Sequence, residues 1–151
     1  MDTPHTPDTS PAPPVPHQAP LTAGWTPELT PDDHFMHLVG PLLTRMDGEI
    51  KRYAFLAEKK HMSRFHRLHG GMLLYLADKA MSVTAWELVG RPKVFATIQI
   101  DLQFLGTVAI DSLVEARCEL IRKTGSLAFM SARLMVGDEV VACATGVWKF
   151  R

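Results

Sequence analysis

The sequence predicts one α+β domain in which a largely antiparallel sheet of five to six strands curls around a single long helix. Two observations carry this prediction. From Gly71 to Trp86 the residues are good helix formers and apolar on nearly every face, with Asp78 and Lys79 as the exceptions. After Gly90 the hydrophobic period changes from 3.6 to 2, and short turns separate the strand-like runs. A helix that is apolar all round must be covered on more than one side, and a curled sheet supplies that cover.

The elements follow in order along the chain. Residues 32–43 read as a short helix or turn that leads into a strand, and residues 40–58 read as a hairpin about the turn signal Asp47-Gly48. A polar loop and the long helix come next. Four strands are then expected to follow one another as a meander, over residues 94–104, 111–122, 127–136 and 139–150. In the first of these, the apolar residues from Val94 to Phe104 alternate with residues such as Thr97 and Gln99, which predicts two distinct faces.

Residues 1–31 are predicted to be a disordered, Pro-rich tail. They hold nine of the eleven prolines and few large apolar side chains, so they bury too little surface to offset the entropy of ordering. Residues 32–151 form the domain, which is long enough to bury a sizeable core.

Composition argues against nucleic acid, a disulfide framework and a membrane as features of this protein. Lys plus Arg and Asp plus Glu both number 16, so the net charge is zero and no broad basic face is available for nucleic acid. Cys118 and Cys143 lie in apolar stretches without metal-ligand spacing and are expected to be free thiols in a reducing compartment. The chain has neither a signal-peptide pattern nor 18 uninterrupted apolar residues, so we expect a soluble cytoplasmic protein without a membrane partner.

A short motif opens the long helix. His69-Gly70-Gly71 begins it, Asp78 follows nine residues after the histidine, and the next strand carries Thr97 near its start. Over residues 38–151 the motif and the order of elements resemble the hotdog-fold thioesterases, in particular the phenylacetate-pathway and 4-hydroxybenzoyl-CoA thioesterase branch. The resemblance implies the hotdog fold and a thioesterase that uses no cofactor and acts on acyl-CoA, with an acyl carrier protein as the alternative carrier of the acyl group.

The resemblance also implies roles for individual residues. The N–H of Gly70, at the positive end of the helix dipole, would bind the thioester oxygen. Asp78 would act either as general base toward water or as nucleophile, and Thr97 would orient the water or the carboxylate. In such proteins the sites lie between subunits of a dimer, so Gly70 of one chain would face Asp78 and Thr97 of its neighbour. A dimer of dimers is the second expected assembly.

Two positions depart from the family pattern. Similar enzymes carry an asparagine six residues before the motif histidine and a glycine three before it, whereas this chain has Ser63 and His66. We expect the Ser63 hydroxyl to assist in binding the oxyanion, with His66 near the substrate. His69 is expected to cap the helix or fix the loop, beside Gly71 at the substrate.

Other residues are assigned more weakly. Arg122, Lys123 and Gly125, at the tip of a hairpin, are expected to contact the phosphates of coenzyme A, and an ordinary charged turn is the alternative. The histidines at 61, 66 and 69 do not share one helical or strand face, so no metal site is predicted. Two rival functions stay open: hydration or dehydration of an acyl thioester, and a non-catalytic acyl-CoA binding or sensing module, which the missing asparagine favours.

Overall fold

The computed structural model describes residues 22–28 and 33–151. Its α-helices are α1 (His34–Val39) and α2 (Gly70–Leu88), with a 3-10 turn at Lys59–His61. Its strands are β1 (Thr26–Pro27), β2 (Leu43–Asp47), β3 (Ile50–Leu56), β4 (Phe95–Phe104), β5 (Leu113–Lys123), β6 (Leu127–Val136) and β7 (Glu139–Phe150). The strands form one antiparallel sheet in the order β1-β2-β3-β5-β6-β7-β4. This confirms the predicted α+β hotdog architecture, with seven strands where five to six were expected.

Helix α2 is the centre of the core. Strands β3, β4, β5, β6 and β7 all contact it, so the sheet wraps the helix as the sequence predicted. The buried residues of the helix, which include Leu73, Leu76, Met81 and Ala85, lie on more than one of its faces, as its all-round apolar character predicted. The helix ends at Leu88, and Gly90 follows with φ +98°, a conformation that glycine adopts at little cost. Neither described helix is long and apolar enough to cross a membrane.

The predicted four-strand meander is wrong for β4. Strands β5, β6 and β7 are successive neighbours, but β4 pairs with β7 at an edge of the sheet. The connection from β4 to β5 crosses the fold, because Leu105 bonds Val141 of β7 and Asp111 bonds Ala57 beyond β3. Alternation identifies a strand but not its partner, so this crossing had no local signal. Strand β4 consequently keeps one unpaired backbone edge in the described chain.

A bulge in β4 divides its predicted apolar face. The pairing register with β7 shifts between Thr97 and Gln99, which leaves Ile98 as the extra residue. Thr97 lies opposite Trp148, which is fully buried, and therefore faces α2. Strict alternation sets Thr97 on the face opposite Ile98 and Ile100, whereas the bulge puts Thr97 on the same face as the core-packed Ile100 and leaves Ile98 58% exposed.

The N-terminal boundary is only partly covered by the structure. Thr26–Pro27, which the sequence placed in the tail, pairs with β2 as an added edge strand, and Lys51 donates to Glu28 at 3.1 Å. Residues 1–21 and 29–32 lie outside the described residues. The tail and its boundary at residue 31 therefore stay a prediction, while the paired residues show that the sheet extends into that segment.

Candidate active site

Asp78 lies midway along α2, partly buried, in a cleft of about 450 Å³. The Thr97 hydroxyl of β4 donates to Asp78 Oδ1 at 3.0 Å, and the hydroxyl of Ser82, one helical turn further on, reaches the same oxygen at 3.4 Å. Oδ2 has no hydrogen-bond partner in the described part of the chain. The structure thus brings together Asp78 and Thr97, and it adds Ser82, which the sequence analysis missed.

The cleft beside Asp78 is mostly apolar. Phe35 and Tyr75 meet edge to face there, with ring centroids 5.1 Å apart. Burial, and then the negative charges of Asp33, Glu28 and Asp78, raise the pKa of Tyr75 to about 12, so its hydroxyl stays protonated near neutral pH. The other apolar residues that line the cleft are Leu74, Ile98 and Ile100.

Helix α1 forms one wall of this cleft because Asp33 holds it in place. The Asp33 carboxylate accepts the N–H of Met36 at 3.0 Å, which caps α1, and it pairs with Lys79 of α2 at 3.0 Å. The Met36 N–H, and next the Lys79 charge, lower the pKa of Asp33 against the opposing effect of burial. Lys79 therefore links the two helices beside Asp78, and Phe35 reaches the cleft from α1.

The start of α2 presents one open amide. The N–H of Gly71 bonds His69 Nδ1 at 3.0 Å, and the N–H of Met72 bonds the His69 carbonyl at 2.9 Å. His69 is therefore the N-cap, in the structural role expected of it. The N–H of Gly70 has no acceptor among the described residues. A Cβ on Gly70 would lie 2.8 Å from the ring of Phe104, an exposed side chain that would have to move aside for any larger residue.

Ser63 and His66 shape the loop before α2. The Ser63 hydroxyl accepts the N–H of Phe65 at 3.3 Å, and the Ser63 carbonyl accepts the N–H of His66 at 3.0 Å. His66 has φ +56°, so the loop keeps the left-handed conformation that a glycine would adopt readily. Neither Ser63 nor His66 lines the cleft of Asp78 or that of Gly70 within one chain.

Gly70 and Asp78 do not meet within one chain. Eight residues of α2 separate them, which is about 12 Å along the helix axis. Gly70 lines a different cleft of about 310 Å³, together with Arg67 and Phe104. A reacting carbonyl must lie about 3 Å from both its donor and its base or nucleophile. The two clefts are therefore separate candidate half-sites: the Gly70 half-site (Gly70, Arg67, Phe104) and the Asp78 half-site (Asp78, Thr97, Ser82).

The remaining predicted residues lie apart from both half-sites. Arg122, Lys123 and Gly125 are exposed, and Lys123 Nζ donates to the Val89 carbonyl at 3.3 Å, so the β5–β6 turn lies at the C-terminal end of α2. Both ring nitrogens of His61 bond backbone groups. Within residues 22–28 and 33–151, no three His, Cys, Asp or Glu side chains are grouped as metal ligands.

Comparison with known proteins identifies a family to which the sequence is similar. A sequence profile described as the thioesterase superfamily matches residues 65–143, just over half of the chain. A Pseudomonas aeruginosa protein named "Putative esterase" is 29% identical over 114 residues, which span 75% of this chain and 85% of that protein. Residues 65–143, which the family profile matches, contain α2 and strands β4, β5 and β6.

Solved structures share the fold at lower identity. A variant of the phenylacetic acid degradation protein PaaI from Thermus thermophilus has a TM-score of 0.68 at 22% identity, and the match covers 79% of this chain and all of that one. The Streptococcus pneumoniae "Hypothetical Thioesterase Protein with Coenzyme A" has a TM-score of 0.60 at 15% identity, over 66% of this chain and 79% of that one. These likenesses agree with the curled sheet around α2.

Proposed function

This chain belongs to the thioesterase superfamily, and we propose that it hydrolyses acyl-CoA thioesters at sites formed between two copies of the chain. Family membership and the relative named as an esterase support thioester hydrolysis in general. Coenzyme A as the thiol and the shared site are the parts that we add.

The observation that carries the proposal is the separation of two complementary half-sites. Gly70 offers an N–H without an acceptor, and Asp78 offers an oxygen without a donor, both in the described chain. About 12 Å of helix keeps them from acting on one carbonyl together. A second copy with its α2 running the opposite way would set the Gly70 half-site of one chain against the Asp78 half-site of the other.

Strand β4 supplies a surface for that pairing. It lies at the edge of the sheet with one side of its backbone unpaired, and it contributes Thr97 to the Asp78 half-site and Phe104 to the Gly70 half-site. Ile98 and Phe104 are 58% and 60% exposed, which leaves apolar area on this edge. Pairing β4 with its symmetry mate would cover the edge and bring both half-sites to the contact.

The proposed chemistry follows from these groups. The Gly70 N–H stabilises the negative charge that develops on the thioester oxygen. Asp78 Oδ2 either removes a proton from water, which attacks the carbonyl carbon, or attacks that carbon itself to give an anhydride that water then opens. In both routes the C–S bond breaks, the thiolate takes up a proton, and the products are a carboxylic acid and a free thiol.

Coenzyme A is proposed as the thiol for two reasons. Arg122 and Lys123 expose positive charge beside the C-terminal end of α2, where phosphate groups would pair with them. The structurally similar Streptococcus pneumoniae protein was solved with coenzyme A. Both cysteines in the chain are free, which agrees with the reducing, cytoplasmic location that we include in the proposal.

Hydrolysis of a panel of acyl-CoA thioesters tests the proposal. We expect the wild type to release free thiol, and Asp78→Asn to lower kcat by about 10² to 10⁴, the usual contribution of a positioned base. Asp138→Asn, on the exposed β6–β7 turn, is the matched control and should retain full activity.

The same panel separates the rival functions. A sensing module, which Ser63 in place of asparagine favours, would bind the thioesters tightly without turnover in either protein. A hydratase would consume an unsaturated acyl-CoA without releasing thiol. Full thiol release by Asp78→Asn would contradict the role assigned to Asp78.

A further inference from the structure

Asp78 is held by two pairs of residues that face each other. Thr97 of β4 lies directly opposite Trp148 of β7, and Asp78 and Ser82 lie one turn apart on α2. Thr97 bonds Asp78 at 3.0 Å, and the Trp148 indole N–H bonds the Ser82 hydroxyl at 2.6 Å. A cross-strand pair on the sheet therefore contacts an i, i+4 pair on the helix, and Asp78 is fixed at one corner of this arrangement.

The direction of each hydrogen bond follows from the chemistry of the groups. The indole N–H can only donate, so the Ser82 oxygen must be its acceptor. The single Ser82 proton is then free for another acceptor, and Asp78 Oδ1 lies 3.4 Å away. Thr97 donates to the same oxygen. Both hydroxyl protons converge on Oδ1, which leaves Oδ2 free for chemistry.

Trp148 is more deeply buried than Ser82 and Asp78. Its side chain is fully buried, and a Cβ on Gly146, two residues earlier on the same face of β7, would lie 2.5 Å from the ring. The glycine therefore makes room for the indole. The buried ring holds Ser82 in one side-chain rotamer, because another rotamer would move the oxygen away and leave a buried N–H without a partner.

From this geometry, and resting on the proposed function, we infer that Ser82 is a positioning residue for the reaction. Fixed by Trp148, it acts with Thr97 to bind Asp78 Oδ1 and to direct Oδ2 toward the thioester. Removing a hydrogen bond that a carboxylate accepts disfavours its charged form, which gives the inferred role of Ser82 a pH-dependent readout.

Few charged groups of the same chain lie near Asp78, and in the proposed dimer Arg67 of the second copy would be added to them. The β4 residues that line the cleft are Thr97 to Ile100, none of which is charged, and Trp148 reaches α2 from β7. On the helices, Tyr75 stays protonated near neutral pH, and Lys79 is paired with Asp33. Ser82→Ala and Ser82→Thr leave all of these groups in place, so a change in the titration of Asp78 that is seen only in Ser82→Ala acts through the hydroxyl.

The test uses Ser82→Ala, with Ser82→Thr as the variant that keeps the hydroxyl. We expect Ser82→Ala to lower kcat/KM at neutral pH by about three- to tenfold and to move the acid limb of the kcat/KM–pH profile to higher pH, and Ser82→Thr to restore both. Thr97→Val, which removes the shorter bond, should move the limb further in the same direction.

A double-mutant cycle tests the part assigned to Trp148. Trp148→Phe should lower kcat/KM in the wild type and have little further effect in Ser82→Ala, because the two residues act in series. Equal effects in both backgrounds, or an unchanged pH profile in Ser82→Ala, would overturn the inference.

A second readout does not depend on activity. The titration midpoint of the ¹³C-labelled Asp78 carboxyl group, identified by its absence in Asp78→Asn, should rise in Ser82→Ala. Full activity of Asp78→Asn would contradict the proposed function. The titration midpoint would still show, independently of activity, whether Ser82 binds Asp78. An unchanged midpoint in folded Ser82→Ala overturns the inference by itself.

Discussion

The two half-sites on α2 are built from different parts of the protein. The Gly70 half-site is made of backbone: an N–H left open at the first turn of a helix, with His69 bonding the next amide. The Asp78 half-site is made of side chains: Asp78 and Ser82 come from α2 and Thr97 from β4, and Trp148 of β7 bonds Ser82 from behind. The first depends on local chain conformation, and the second depends on how the sheet packs against the helix.

This difference sets how each half-site responds to change. A backbone donor is removed only by proline or by altering the path of the chain, so most substitutions nearby should be tolerated. A carboxylate bound by hydroxyls loses part of its orientation with each hydroxyl that is removed. The predictions below test that contrast, from the largest expected effect to the smallest.

Gly70→Pro should have the largest effect on the Gly70 half-site. Gly70 is the first helical residue, where proline is favoured, and His69 has φ −69° and ψ 130°, the extended conformation that proline requires before it. The variant should therefore fold but lack the N–H. Loss of one such donor lowers kcat by about 10² to 10³.

Gly70→Ala is the matched control for that loss. Alanine places a Cβ against Phe104 as proline does, but keeps the N–H. Because Phe104 is exposed, its ring can move aside. We expect kcat of Gly70→Ala to lie far closer to the wild type than to Gly70→Pro in thiol-release assays, and equal losses in the two variants would mean that shape rather than the donor matters.

His66→Gly tests whether the loop before α2 serves conformation alone. Glycine should raise the free energy of unfolding by about 1 kcal/mol relative to His66→Ala, because the backbone at φ +56° disfavours alanine. Urea unfolding measures this difference. Activity should match the wild type in both variants, since His66 lines neither cleft. A shared loss of activity would instead support the substrate contact that the sequence predicted.

Asp33→Asn tests the α1 wall of the Asp78 half-site through pH. Because the folded-state pKa of Asp33 lies below its usual 3.8, its stabilising charge is fully present above that value and is lost as the pH falls through the lower folded pKa. The wild type should exceed the variant in unfolding free energy by up to about 1 kcal/mol at neutral pH. This difference should disappear in strong acid, and a constant difference down to pH 2 would contradict the assignment.

Arg122→Ala should have the smallest effect, since its turn lies apart from both half-sites. An exposed ion pair contributes little, so we expect KM for an acyl-CoA to rise by about two- to fivefold with kcat unchanged. KM for the matching acyl-pantetheine, which lacks the terminal phosphates, should not change. Arg133→Ala, an exposed arginine on β6, is the control for a general loss of positive charge.

Local patterns were enough to predict most elements of the fold. The long helix, the hairpin about Gly48 and the β5–β6–β7 meander each have signals within a few residues of chain: apolar periodicity, turn residues and short connections. The place of β4 beside β7 has no such signal, because strand partners are chosen by contacts over the whole fold. The bulge at Ile98 likewise follows from pairing with β7, and it alone turns Thr97 toward α2.

Some residues of the candidate site have a local signal in the sequence, and others are brought together only by the fold. The motif His69-Gly70-Gly71 and the offset to Asp78 are local, so the sequence and the family resemblance together could propose both candidate half-sites on α2, and their roles stay predictions. Ser82 follows Asp78 by four residues, a spacing that could have suggested a helical contact. Trp148 lies 66 residues from Ser82 along the chain, and their bond became visible only in the folded structure.

Complementation between inactive chains tests the central claim, that each site joins Gly70 of one chain to Asp78 of another. Gly70→Pro and Asp78→Asn chains carrying different tags are produced together, and doubly tagged dimers are isolated and assayed. Each mixed dimer would hold one intact site and one doubly altered site, so about half of the wild-type activity should return. Mixed dimers as inactive as either parent would show that the site lies within a single chain.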